Sequence, residues 1–187
     1  MRDNTSNQII KVQFAVPEQT IDNWSTAVEL INPIKGAYTD ENSSQISDED
    51  VRSCEVRYIT IQQKKLYQDI FNNIFQYVDY YCCDFNVDIY RKLEIQHTTY
   101  NVGGHYIPHI DANFNDSRQT QRKISMVLML SSPTSYGGGE LTITKKPFKE
   151  EKGTLILFRP TLTHSVQKVT SGVRKSLVMW VHGPAWR

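Results

Sequence analysis

LEIQHTTYNVGGHYIPHID, from Leu93 to Asp111, decides how the chain reads. Up to Asn86, apolar residues recur at helical spacing; from Leu93 on they alternate or come in short runs bounded by turn residues. The stretch holds two such runs, Leu93–Tyr100 and Tyr106–Ile110, split by Asn-Val-Gly-Gly. Lys123–Leu130, Glu140–Thr144, Thr154–Phe158, His164–Val169 and Arg174–Val181 follow it. Short strands at this density, with Gly, Pro, Ser and Asn between them, predict an antiparallel sandwich or jelly roll.

Upstream, Ile21, Trp24, Val28 and Ile31 predict a helix between Pro17 and Ile31, which Asn32-Pro33 stops. Leu66, Ile70, Ile74, Val78 and Tyr81 form the apolar stripe of a second helix, from about Gln62 to Cys82, with Thr60 and Gln63 in the positions of a capping box. Each helix has one apolar face, and a sheet is the natural partner for it. Helices before strands favour an α+β fold. One domain is expected over 1–187, with 1–86 as helical support and 87–187 as the jelly-roll core. Gly36–Asp50 is polar and acidic and reads as a surface loop.

With 187 residues, 39% of them hydrophobic, the chain is long enough for one substantial core. A formal charge of +1 with scattered basic residues gives no footprint for nucleic acid and no polybasic membrane anchor, so neither partner is expected. MRDNTSNQIIKVQF at the start lacks the apolar run of a secretory signal, and no stretch reaches the roughly 20 apolar residues that span a bilayer. A cytoplasmic location is expected, the host cytoplasm if the source is viral. Three cysteines, two of them adjacent as Cys82-Cys83, make neither a disulfide framework nor a paired zinc site. Nothing in the sequence fixes an oligomeric state.

Residues two apart on a strand share a face, so His109 and Asp111 lie about 7 Å apart along it and could ligate one ion. Alone, the pair reads equally as a strand-end histidine with a capping aspartate. A third ligand must come from another strand, and His164 opens one after the buried run Leu155–Phe158 and the turn at Arg159-Pro160. It would meet the pair across a sandwich. Two imidazoles and a carboxylate leave three positions of an octahedral ion open, the facial arrangement of non-haem Fe(II) oxygenases. Arg174 stands ten residues after His164 and shares a strand face with Ser176, Val178 and Trp180. There its fork of donors could hold a dicarboxylate.

In this order the residues resemble the iron(II)- and 2-oxoglutarate-dependent dioxygenase superfamily, and within it the prolyl 4-hydroxylase-like branch. The resemblance runs from about Leu93 to the end. It rests on Tyr100, nine residues before the H-x-D; on His109 and Asp111; on Gly138-Gly139-Glu140-Leu141 leading into a strand; and on His164, Arg174 and Trp180. It implies a double-stranded β-helix (jelly roll) supported by N-terminal helices on one face. It also implies His109, Asp111 and His164 as catalytic iron ligands, with Arg174 and Tyr100 binding 2-oxoglutarate. Several members of the branch carry lysine where Arg174 stands, which puts Lys175 in competition; face parity with Trp180 favours Arg174. The implied reaction uses Fe(II), 2-oxoglutarate and O2, with ascorbate as a reductant, to hydroxylate a proline in a peptide or protein, giving hydroxyproline, succinate and CO2. Another side chain, a free amino acid or a small molecule is the alternative substrate. A metal-binding jelly roll without oxygenase activity is the alternative of a different class, and it would need neither Arg174 nor Tyr100.

Trp180, Tyr106 and Arg118 are the expected substrate contacts. Arg118 lies in the polar segment Asn113–Gln121, which reads as a lid over the site or as a plain solvated loop. Arg122 is a second candidate contact beside it. His97 has opposite parity to Tyr100, which points to packing or surface. His105 follows Gly103-Gly104 near the site mouth, and His182 carries no assignment.

Overall fold

A computed structural model of the protein describes residues 9–39, 45–112 and 120–185. The first part of the chain forms β1 (Ile9–Val12), α1 (Glu18–Glu29), β2 (Ile34–Lys35), β3 (Tyr38–Thr39), β4 (Gln45–Ile46), β5 (Arg52–Ser53), β6 (Glu55–Ile59) and α2 (Lys64–Phe85). Then come β7 (Leu93–Tyr100), β8 (His105–His109), β9 (Thr120–Met129), β10 (Tyr136–Gly138), β11 (Leu141–Ile143) and β12 (Lys146–Phe148). The last strands are β13 (Leu155–Phe158), β14 (His164–Val166), β15 (Val169–Gly172) and β16 (Arg174–Pro184).

Among the described residues the strands form a major sheet in the order β1-β13-β9-β16-β7-β6-β2 and a minor sheet in the order β12-β11-β14-β8-β5. From β7 on the chain steps between the two: β7, β9, β13 and β16 lie in the major sheet, and β8, β11 and β14 in the minor one. That alternation is the winding of a jelly roll.

Period-two alternation divides the major sheet into two faces. Leu93, Ile95, Ile124, Met126, Leu155, Leu157, Leu177 and Met179 are buried in one cluster with Ile21, Trp24 and Val28 of α1 and Ile70, Ile74 and Val78 of α2. Their neighbours Tyr100, Val127, Met129, Ile156 and Phe158 are buried instead with Leu141, Ile143 and Val166 of the minor sheet. α1 is tied to α2 where Trp24 Nε1 donates to Asp69 Oδ2 at 2.6 Å. The capping box forms, with Thr60 accepting from the Gln62 amide and Gln63 Oε1 accepting from the Thr60 amide at 3.0 Å. It opens a 3-10 turn, Ile61–Gln63, so α2 proper begins at Lys64 and runs on to Phe85. Asn86, in the left-handed region with φ 49°, ends it.

The first 86 residues supply more than helices. β1 pairs with β13 at the sheet edge, β6 pairs with β7, and β5 pairs with β8 in the minor sheet. These strands are two to five residues long, too short for alternation to register in the sequence. The predicted strand His164–Val169 is two strands: β14 ends at Val166, and β15 begins at Val169 to pair with β10. Among the described residues no helix is long and apolar enough to cross a membrane.

Candidate metal centre and its pocket

His109 ends β8 and His164 begins β14, and the ladder sets them directly opposite each other. His164 therefore reaches the pair from the adjacent strand of the same sheet, not from across the sandwich as the sequence suggested. Asp111 follows two residues after His109. Its own amide and that of Ala112 donate to the Pro160 carbonyl at 2.9 and 3.0 Å, which pins it beside the turn that carries His164. One ligand atom from each of His109, Asp111 and His164 lies within 4.8 Å of the others.

The donors converge because the rest of each side chain is engaged. Nδ1 of His109 lies 2.8 Å from the Ile107 carbonyl and Nδ1 of His164 lies 2.9 Å from the Leu162 carbonyl. Since a carbonyl only accepts, each Nδ1 carries the proton and donates, which leaves the Nε2 lone pairs for a metal. Those Nε2 atoms lie 3.8 and 3.3 Å from Asp111 oxygens, and Ser125 Oγ donates to Asp111 Oδ2 at 2.7 Å.

Burial alone would push the Asp111 carboxyl up. The His164 ring beside it, with Arg122 and His109 beyond, holds it well below the usual carboxylate range. Burial, with His164 alongside, pushes His109 down to about 4. For His164 burial acts in the same sense, but Asp111 outweighs it and the net shift is upward. Two neutral-capable imidazoles and one firmly ionised carboxylate fit a divalent first-row ion with open coordination positions.

Deeper in the roll, Arg174 of β16 pairs with Tyr100 of β7, and its guanidinium carbon lies 5.3 Å from the Tyr100 ring centre. Arg174 is only 2% exposed. Its Nη1 donates to Ser176 Oγ at 3.1 Å and its Nη2 approaches Met129 Sδ at 3.8 Å, while Nε has no partner among the described residues. No carboxylate among the described residues pairs with it. A buried cation without a counter-charge costs several kcal/mol, a cost that a bound anion would offset. Thr98 Oγ1, on the Tyr100 face of β7, is also buried without a partner. Gly139 lets the chain pass close by: at φ +67°, a Cβ there would lie 3.2 Å from Arg174 Cδ. Lys175 points to the helix side, where its Nζ meets Glu29 at 3.2 Å.

Trp180 lies on the Arg174 face of β16, 5% exposed, with the Arg122 guanidinium 3.8 Å over its ring. Arg122 also binds Glu94 at 2.8 Å, and Glu94 accepts from His182 at 3.0 Å. Sequence reading left His182 unassigned and missed Glu94, because only the strand pairing brings β7, β9 and β16 together. Tyr106 stacks on His109, with ring centres 3.6 Å apart. Arg52 was also missed, although it is buried and lies 4.7 Å over the Tyr106 ring. His105 does not face the metal ligands: its two ring nitrogens contact the carbonyls of Gly103 and Asp50 at 3.0 and 3.1 Å. His97 is buried on the helix side of β7. Residues 113–119, with Arg118 and most of the expected lid, lie outside the described residues.

A double-stranded β-helix in which two histidines and an aspartate converge has the donor set of a facial-triad metal site. The sequence pattern of the 2OG-Fe(II) oxygenase superfamily matches residues 95–182. A PKHD-type hydroxylase of Rippkaea orientalis is 37% identical over 87 residues, 44% of this chain and 39% of that protein. The match thus spans about two fifths of that relative's length. Among solved structures, a Pseudomonas putida prolyl-4-hydroxylase superposes with a TM-score of 0.72 at 18% identity, covering 96% of this chain and 95% of the other. The viral collagen prolyl hydroxylase of Paramecium Bursaria Chlorella virus-1, solved as its 2OG complex, gives 0.70 at 20% identity, covering 94% and 96%. Residues 95–182 thus resemble the 2OG-Fe(II) oxygenase superfamily, and the fold is that of the solved prolyl hydroxylases.

Proposed function

We propose that the protein is a 2-oxoglutarate- and Fe(II)-dependent dioxygenase that hydroxylates proline in a peptide or protein, as a single domain over 1–187. The observation that carries the reading is Arg174: a cation 2% exposed, without a carboxylate partner among the described residues, on the sheet facing the His109–Asp111–His164 cluster. A metal-binding jelly roll without oxygenase activity has no use for it. Proline as the acceptor is supported by kinship, since the neighbours in fold are named prolyl hydroxylases and one of them a collagen prolyl hydroxylase.

Bound Fe(II), with 2-oxoglutarate and O2, would supply the oxidising power for inserting oxygen into a C–H bond while the cosubstrate becomes succinate and CO2. The chain's residues divide the remaining work. His109 and His164 present Nε2, and Asp111 presents an ionised carboxylate whose rotation Ser125 restrains. Arg174 and the Tyr100 hydroxyl hold the far carboxylate of 2-oxoglutarate, with Thr98 as a further polar contact. Val127, Ile156 and Phe158 line the interior with apolar surface and exclude water. Trp180 and Arg122 form the wall beside Asp111 on which the acceptor residue rests. The two N-terminal helices support one face of the major sheet and keep these strands in register.

The test is succinate formation by purified protein given Fe(II), 2-oxoglutarate and ascorbate, with and without proline-containing peptides. Peptide-stimulated succinate, with a mass gain of one oxygen on a prolyl residue, is expected. Turnover driven by a free amino acid and by no peptide overturns the prolyl assignment.

A further inference from the structure

His109 is held through the face of its ring as well as through its edge. In the ladder between β14 and β8, His164 pairs with His109 while Val166 pairs with Tyr106, so the register slips by one residue between them. Residues three apart on a regular strand face opposite sides. The extra residue re-aims the strand and brings Tyr106 to the side of His109. The two rings stack with centres 3.6 Å apart and planes inclined by 19°.

A ring stacked this closely on one side of Tyr106 leaves the opposite side for Arg52, whose guanidinium carbon lies 4.7 Å from the ring centre. Arg52 is itself fixed. Its Nη1 donates to the Ala37 carbonyl at 2.7 Å, Nη2 to Gln96 Oε1 at 2.8 Å, and Nε to Cys54 Sγ at 3.2 Å. It is 7% exposed and pairs with no carboxylate among the described residues. A methionine or leucine would fill the same place at the end of the minor sheet without burying a charge. These bonds hold the guanidinium in place over the Tyr106 ring, where an apolar side chain would make neither the bonds nor the cation–π contact.

We propose that Arg52 and Tyr106 form a positioning column that fixes the plane of the His109 imidazole for metal binding. The inference rests on His109 being a metal ligand, as the proposed function holds. The Nδ1 hydrogen bond to Ile107 restrains one edge of the ring but lets it rock about that bond; the stack removes the rocking. Neither residue needs to touch the cosubstrate or the acceptor for this. Tyr106, a substrate contact in the sequence reading, acts here through His109.

The experiment measures Fe(II) affinity by anaerobic calorimetry, with no cosubstrate present, alongside the thermal midpoint of the metal-free protein. Tyr106→Phe keeps the ring and is expected to bind Fe(II) within about twofold of wild type. Tyr106→Leu removes the stack and should bind about tenfold more weakly, the scale of lost outer contacts at metal sites. Arg52→Met should weaken binding in the same direction, with Arg52→Lys between it and wild type, and none of the four should lower the metal-free midpoint in proportion. Tyr106→Leu binding as tightly as wild type would overturn the proposal. So would affinity losses that simply track the midpoint, which would make the column a packing element. Absence of Fe(II) binding by the wild type is a separate result: it removes the proposed function, and the column with it.

Discussion

Replacing Arg174 with methionine should weaken cosubstrate binding without lowering metal-free stability. On the proposed function, Arg174, which is 2% exposed, would be the counter-charge for the far carboxylate of 2-oxoglutarate. Removing one partner of such a pair strands the other and costs about 3–5 kcal/mol. At about 1.4 kcal/mol per decade, the Kd for 2-oxoglutarate should rise by roughly two to three and a half decades. In the metal-free protein the same cation meets Ser176 Oγ at 3.1 Å, the Met129 sulfur and the hydroxyl of Tyr136, and no carboxylate among the described residues. Methionine in its place should leave stability unchanged or raise it by about 1 kcal/mol. The assay is calorimetric titration of 2-oxoglutarate into the anaerobic Fe(II) protein, paired with urea melts of metal-free protein. Lys175→Met is the control, because Lys175 pairs with Glu29 on the other face and should not alter 2-oxoglutarate binding. An Arg174→Met affinity within about threefold of wild type, or an effect as large from Lys175→Met, would refute the reasoning.

Stability should also depend on pH through His97, which is 2% exposed and pushed down to about 4, by burial first and then by Arg57 and Lys175. The unfolded chain takes up this proton near pH 6.5 and the folded chain only near pH 4. The contribution is thus complete above about pH 6.5 and lost as pH falls toward 4, by up to about 3 kcal/mol. Urea melts of His97→Leu should show that much less acid sensitivity than wild type; identical slopes would remove His97 as the cause. Gly139→Ala forces a side chain into a left-handed position 3.2 Å from Arg174 Cδ. It should cost about 1–2 kcal/mol in a thermal melt and weaken 2-oxoglutarate binding, and a neutral result in both would contradict the close approach. Ser125→Ala removes the 2.7 Å bond to Asp111 and should weaken Fe(II) binding about tenfold in anaerobic calorimetry.

Much of the site was legible because its chemistry fixes spacing. Two candidate ligands close in sequence appear as His109 and Asp111, and a buried cation that the proposed function gives to the cosubstrate appears as Arg174, on the parity of Trp180. Parity also separated Arg174 from Lys175 and His97 from Tyr100, since a strand's faces follow from its sequence alone. What stayed hidden depends on relations that alternation does not carry. The register slip in β8 turns Tyr106 toward His109, against the period-two expectation. Arg52 sits on a two-residue strand with no pattern to mark it. Glu94, Arg122 and His182 meet only through the pairing of β7, β9 and β16, which is fixed by tertiary contacts. The same holds for His164, whose place beside His109 in one sheet follows from the order of strands and not from their sequences.

The most direct test of the site is anaerobic titration of the purified protein with Fe(II) and then 2-oxoglutarate, followed in the visible region. Wild type should develop the charge-transfer band of the iron–cosubstrate chelate, and His109→Ala should lose it. No band in wild type, or an undiminished band in His109→Ala, would contradict the assignment of His109, Asp111 and His164 as the metal centre.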